Sequence, residues 1–203
     1  MMAKRTKDLI YQGAVEVFSK RGFGDTTMDA IAEQCGVAKG TLYYNFKTKE
    51  ELFTYVMRRG LSQLTDRLRQ ALLSTEDPVH KWVRAVESQF RFFEENRAFC
   101  HLLVQKIWSA DVQGQLSVQE VLSEYFQLLD DQWAAAKARH WIDDRADVQT
   151  LSGAFFGMVV IPAARAVLHG GAIDAPERVR TIVKMILRQM KGVSDDELAS
   201  LGD

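Results

Sequence analysis

The sequence predicts an all-α chain of about nine helices. Three observations lead there. Apolar residues recur at threes and fours along almost the whole length, with no convincing period-two alternation of the kind a strand requires. Only three prolines occur, at 78, 162 and 176. The breaks between periodic segments are short and carry helix caps or glycines rather than long polar linkers. The 203 residues are 47% hydrophobic and 26% charged, ordinary values for a globular protein with a sizeable core. Residues 1–60 hold ten Lys or Arg against seven Asp or Glu, and the remainder sixteen against twenty, so a mildly basic first segment precedes an acidic body.

The first helix spans roughly Arg5 to Lys20, with Ile10, Ala14, Val17 and Phe18 on one face and Gly22 as its stop. Lys4, Arg5 and Lys7 make its start basic, which suits either a solvated helix end or a phosphate contact. Thr26 or Thr27 can cap the second helix, Asp29 lies in its first turn, and Met28, Ile31 and Ala32 form its apolar face. Gly36 ends it, because glycine takes the left-handed conformation at little cost. A third short helix covers about Lys39 to Tyr44. Thr48 to Glu51 fits a capping box and opens a fourth helix, about Lys49 to Leu73. Its stripe of Leu52, Phe53, Val56, Met57, Leu61, Leu64, Leu68 and Leu72 runs roughly six turns, long enough to leave the first module and enter the body.

Asp77-Pro78, a cap followed by proline at the first helical position, opens a fifth helix to Glu95. A sixth follows from Arg97 to about Ser109, with a break at Gln113-Gly114. A seventh covers about Gln115 to Arg139. Asp144 and Asp147 favour the start of an eighth, about Arg145 to His169, which Gly170-Gly171 ends and in which Pro162 predicts a kink. Asp174 to Glu177 resembles another capping box and opens a ninth helix ending near Lys191. Residues 194–201 suit a short turn or a frayed end. The eighth helix is apolar on nearly every face and is expected to be buried on nearly every side. Its longest apolar run, Ala154 to Ala164, is too short to span a membrane.

The stretch Gly36 to Phe53, GVAKGTLYYNFKTKEELF, resembles the DNA-binding signature of TetR-family transcriptional regulators. Ile31-Ala32, Cys35-Gly36 and Arg21 to Phe23 fit the same pattern. The strong similarity covers about the first 60 residues, and the rest agrees in length and helix count. The resemblance implies a helix-turn-helix DNA-binding domain over residues 1–50. It implies an effector-binding and dimerisation domain over 51–203.

In a helix-turn-helix the second helix enters the major groove, so the expected reader is Lys39 to Tyr44. Lys39 can donate to guanine O6 and N7, Thr41 can meet a phosphate or a thymine methyl, and Tyr43 and Tyr44 can donate to phosphate. Gly40 permits close backbone approach. Lys49 and the amides after Thr48 form an expected anion site, and Thr27 plays that part for the second helix. Carried over position by position, Thr27, Lys39, Thr41, Tyr43, Tyr44 and Lys49 match DNA-contacting sites of the family. Leu42 and Phe46 are expected in the module's core. One departure is Ala38, where the family often has a capping Ser. It leaves the reader helix without a side-chain cap, at a local cost of about 1 kcal/mol. Cys35 reads as a small buried residue, or alternatively as a redox sensor within the motif.

The body is rich in aromatic residues, among them Phe90, Phe92, Phe99, Trp133 and Phe156. Simple core packing accounts for such residues at helical spacing, yet pockets between bundled helices are a usual ligand location. The expected pocket comprises Phe93, His101, Gln105, Trp108, Tyr125, Phe126, Phe155 and Met158, with Arg165 as a further polar orienting group. The resemblance implies a small-molecule effector that lowers DNA affinity, and the lining suggests an apolar or amphipathic one. An expected homodimer interface uses Gly153, Gly157, Val160 and Ala164 of the eighth helix and Ile182 and Ile186 of the ninth, because the family pairs its last two helices with their copies.

Enzyme readings lack support: no nucleophile elbow or phosphate loop occurs, and His169-Gly170-Gly171 reads as a helix stop. The four histidines show no metal-ligand spacing, so no metal or cofactor is expected. Two distant cysteines, Cys35 and Cys100, and an N-terminus without an apolar run suit the cytoplasm. The expected function is a ligand-responsive repressor that binds a pseudo-palindromic operator as a dimer. Its reader helices would lie about 34–36 Å apart or more, and effector binding between the fourth and eighth helices would tilt the fourth. The alternative is a DNA-binding regulator controlled by a protein partner or by no ligand.

Overall fold

The computed structural model describes residues 2–107 and 115–193. Among the described residues there are nine helices and no strand. They are α1 (Met2–Arg21), α2 (Met28–Cys35), α3 (Lys39–Asn45), α4 (Lys49–Leu73), α5 (Pro78–Glu95), α6 (Arg97–Ile107), α7 (Gln115–Ala138), α8 (Val148–His169) and α9 (Pro176–Leu187). The expected turn at 194–201 and the break at Gln113-Gly114 lie outside the described residues.

Local cap chemistry sets most boundaries. Gly22 and Gly36 both take positive φ, 73° and 63°. The amides of Gly36 and Val37 turn back to the carbonyls of Glu33 and Ala32, closing α2 with two bonds. Asp77 caps α5 by accepting from the His80 amide at 2.8 Å, a bond that holds its carboxyl below the usual range. Asp147, not Asp144, caps α8, accepting from the Thr150 amide at 3.3 Å, so that helix starts at Val148. The expected capping box before α9 does not form. Its N-cap is Ala175, which has no side-chain acceptor, and Asp174 stands one residue too early. His140 ends α7 with φ 55°, a left-handed residue that no glycine announced.

The described chain divides into two compact units, Met1–Ser62 with Arg97–Val121, and Gln63–Asn96 with Leu122–Asp203. This differs from a single cut at residue 50: the division falls inside α4, and α6 joins the first unit. There α1 packs on α2 and α6. Ile10, Ala14, Phe18, Ile31, Leu42, Phe46, Leu52, Val56, Met57 and Leu61 are buried, as the periodicity predicts. Phe53 meets Phe18 edge to face at 5.1 Å and Phe23 at 5.0 Å. Arg59 bridges to Asp8 at 2.5 Å, donates to the Tyr55 hydroxyl at 2.8 Å and lies 4.6 Å over the Tyr11 ring. Two glycines allow close helix approach. A Cβ on Gly13 would stand 2.4 Å from the Cys35 sulfur, and one on Gly60 would stand 2.1 Å from a Phe99 ring carbon.

In the second unit α5 packs on α8 and α9. Trp82 stacks on Trp133 at 4.0 Å and meets Phe155 at 5.5 Å. Tyr125 is buried and donates its hydroxyl to Gln89 Oε1 at 3.2 Å, while the Gln89 amide nitrogen lies 3.3 Å from the Leu64 carbonyl. Burial pushes the Tyr125 phenol well above its ordinary range. Pro162 lies within α8, which continues on both sides of it.

α8 departs from expectation in two ways. It buries one face only, through Ser152, Phe155, Val159, Val160, Ala163, Ala164 and Ala166, and leaves Ile161 and Leu168 exposed at 46% and 69%. As a helix of 22 residues with mean hydropathy 1.8 in its best window, it also exceeds the short apolar run read from the sequence. By length and composition alone it meets the requirement for a membrane span.

Candidate nucleic-acid interface

The helix-turn-helix is built from caps at both ends of its turn. Thr27 caps α2, its hydroxyl accepting from the Ala30 amide at 3.2 Å, while the buried Thr26 hydroxyl donates to the Gly22 carbonyl at 2.6 Å. Ala38 precedes α3 in extended conformation without a side-chain cap, as the sequence indicates. Leu42 and Phe46 face the core and set the roll of α3. That roll turns Lys39, Gly40, Tyr43 and Tyr44 outward together, at i, i+1, i+4 and i+5. Tyr44 is 82% exposed and Tyr43 44%, high values for aromatic side chains. Thr41 is half-buried at the edge of this face.

The structure thus brings Thr27, Lys39, Gly40, Thr41, Tyr43 and Tyr44 onto one module, and it redefines the two lysines. Lys39 Nζ lies 2.6 Å from Asp29 Oδ2 on α2, and this bond raises the Lys39 ammonium above its ordinary range. Lys49 does not present its charge outward. Its Nζ donates to the carbonyls of Phe23 at 2.7 Å, Gly24 at 3.0 Å and Thr26 at 2.8 Å, and lies 4.6 Å over the Phe23 ring. An ammonium has three donors, and all three are engaged. The capping box at the start of α4 also forms. Thr48 Oγ1 accepts from the Glu51 amide at 3.1 Å, and the Glu51 carboxylate accepts from the Lys47 amide at 2.7 Å. The anion site expected at Lys49 is therefore a structural clamp. Lys47 is the cation that sequence reasoning missed. It is exposed just past the end of α3, and its ammonium donates to the Tyr43 carbonyl at 3.2 Å.

Cys35 is half-buried against Ile10, and burial pushes its thiol up to about 11. A thiol held up in this way supplies little thiolate, which weighs against the redox-sensor reading.

The expected effector residues are divided between the two units. Phe93, Tyr125, Phe126, Phe155 and Met158 belong to the second unit, His101 and Gln105 to the first, and Trp108 lies outside the described residues. Phe93, Tyr125 and Phe155 are fully buried core. Phe126 and Tyr125 both meet Phe156, at 5.3 and 5.4 Å. His101 and Gln105 pair with each other at 3.3 Å. Arg165 stands on the exposed face of α8. Three grooves of the second unit are lined by other residues. One of about 280 Å³ lies between α5 and α9 around Arg91 and Arg180. One of about 390 Å³ lies between α4 and α5 around Arg67 and Arg84. A third, of about 170 Å³, lies beside Trp82 and Trp141. Among the described residues no cluster of His, Cys, Asp or Glu suits a metal ion.

Of the expected interface residues, Val160, Ala164, Ile182 and Ile186 are 7% exposed or less. They are buried in the chain's own core. Gly153 is exposed and Gly157 half-exposed, on the same side of α8 as Ile161 and Leu168.

A helix-turn-helix whose second helix turns a basic, aromatic face away from its own core defines a DNA-binding module. Residues 10–56 match the family model described as bacterial regulatory proteins, tetR family, and residues 57–195 match the model described as YsiA-like protein, C-terminal region. The chain belongs to the TetR family of transcriptional regulators. It is similar to the fatty acid metabolism regulator protein of Bacillus subtilis, at 23% identity over 92% of this chain and 97% of that protein. It is also similar to the HTH-type transcriptional activator FasR of Mycolicibacterium smegmatis, at 36% identity over 52% of this chain and 48% of FasR, so that alignment spans about half of the relative. A crystal structure of the transcriptional regulator FadR from Bacillus subtilis in complex with stearoyl-CoA shares the fold, with TM-score 0.80 and 19% identity over 92% of this chain and 99% of that one.

Proposed function

We propose that this regulator is a cytoplasmic, dimeric repressor that reads a pseudo-palindromic operator and releases it when an amphipathic fatty acyl compound binds. The exposed face of α3 carries the DNA part of the reading. Tyr43 and Tyr44 are poised for phosphate and sugar contacts that set register, and Lys39 is the base reader. The effector class rests on the names of two relatives, a fatty acid metabolism regulator and a regulator solved with stearoyl-CoA. α4 supplies a mechanical route, because its residues belong to both compact units along one continuous helix.

The test uses a fluorescent duplex selected by the full chain from random-sequence DNA. Long-chain acyl-CoA should weaken binding roughly 5–150-fold, the range of a coupling of about 1–3 kcal/mol, while CoA alone should not. The second reading, control by a protein partner or by no ligand, draws on the packed state of Phe93, Tyr125 and Phe155. Equal DNA affinity with and without every acyl chain length would favour it.

The dimer reading rests on the exposed apolar side of α8 and α9, where Ile161, Leu168 and Met185 are 46%, 69% and 47% exposed. Such residues in line with Gly153 and Gly157 suit helix-on-helix association. Replacing Ile161 and Leu168 together by Glu should convert the dimer to a monomer in sedimentation velocity, with the helical content unchanged. A dimer of undiminished stability would reject this surface.

A further inference from the structure

We infer that Asp29 is a positioning residue for base readout, holding the Lys39 ammonium so that its remaining two donors meet a guanine. This rests on the reading of α3 as the DNA reader. Asp29 sits in the first turn of α2, and Lys39 opens α3 on the far side of the turn. Their side chains meet at 2.6 Å although both are more than half exposed. The amides of Gly36 and Val37 close α2 just before the turn, and the turn brings positions 29 and 39 within side-chain reach of each other.

Two physical considerations separate this pair from an ordinary surface ion pair. A carboxylate on the face that approaches a phosphate backbone opposes binding, and it would be a liability unless it did something else there. The ammonium on its flexible stem otherwise acts as a rotating point charge, which favours phosphate and any base edge alike. Tying one of its three N–H donors to Asp29 leaves two, the number that guanine O6 and N7 accept in the major groove. Asp29 therefore exchanges total DNA affinity for discrimination.

The experiment is in vitro selection from a random duplex library with the full-length wild type and the variants Asp29→Asn and Lys39→Ala, followed by titration of the selected duplex and a scrambled one. Asp29→Asn should bind the scrambled duplex more tightly and lose roughly tenfold in the ratio of selected to scrambled affinity. Its selected sequences should relax at the same base pairs that Lys39→Ala relaxes. The double variant should relax them no further than Lys39→Ala alone. Circular dichroism of Asp29→Asn should match the wild type, since position 29 is exposed. If Asp29→Asn raises affinity for both duplexes by one factor and keeps the base preference, the carboxylate is a mere brake and the positioning role is wrong. If Lys39→Ala also keeps the preference, the reading of Lys39 fails with it.

Discussion

Replacing Lys49 by Met should lower the unfolding free energy by about 2–3 kcal/mol, because three charge-assisted hydrogen bonds to carbonyls disappear together. The aliphatic stem is retained, so the loss isolates the ammonium. The three carbonyls, of Phe23, Gly24 and Thr26, belong to the turn that leads into α2. That turn should loosen first, and α2 and α3 with it. Urea unfolding followed by circular dichroism measures the change. DNA affinity should fall as a consequence, recoverable at low temperature where the module is folded. The competing outcome is sharp. Unchanged stability, with weaker DNA binding and a salt dependence reduced by about one counterion, would restore Lys49 as a phosphate contact.

Gly60→Ala should destabilise the first unit by roughly 1–3 kcal/mol, the usual cost of overpacking. The sign is informative. In the interior of an exposed helix the same change gains about 1 kcal/mol, since alanine is the best helix former and glycine among the worst. Here the new methyl would stand 2.1 Å from Phe99 Cε2 and 2.3 Å from Cζ, so the ring must leave its place between α4 and α6. Shortening the ring as well, in Gly60→Ala with Phe99→Leu, should recover much of the loss, a coupling that a double-mutant cycle measures. A stabilised single variant would mean that α4 and α6 do not approach as closely as described.

The sequence disclosed what is local. Thr27, Gly36, Thr48, Asp77 and Gly170 each act within four residues of themselves, and the helix ends they set are where cap chemistry puts them. The reader face was legible for the same reason: Leu42 and Phe46 point inward, which leaves Lys39, Tyr43 and Tyr44 outside. What stayed hidden depends on distant backbone. Nothing near Lys49 reveals that the carbonyls of residues 23–26 wait beside it. Nothing in α6 alone shows that it packs with α1 instead of joining the body. α8 misled for a different reason. An apolar residue looks the same whether it faces its own core or a surface, and so Val160 and Ala164 were assigned outward while Ile161 and Leu168 carry the exposure. Asp174 missed its cap by one position, within the ordinary uncertainty of helix ends.

The membership of α6 in the first unit has a consequence for how the chain is made. Residues 1–62 contain the entire helix-turn-helix, yet Phe99, Leu102 and Leu103 of α6 belong to the same buried cluster. During synthesis the module must wait, with part of its apolar surface uncovered, until α5 has been produced and α6 has followed. Its final docking is a long-range contact, and such contacts are slow to form. The reading head of this regulator is thus encoded early and completed late, once Leu103 of the 203 residues has been made.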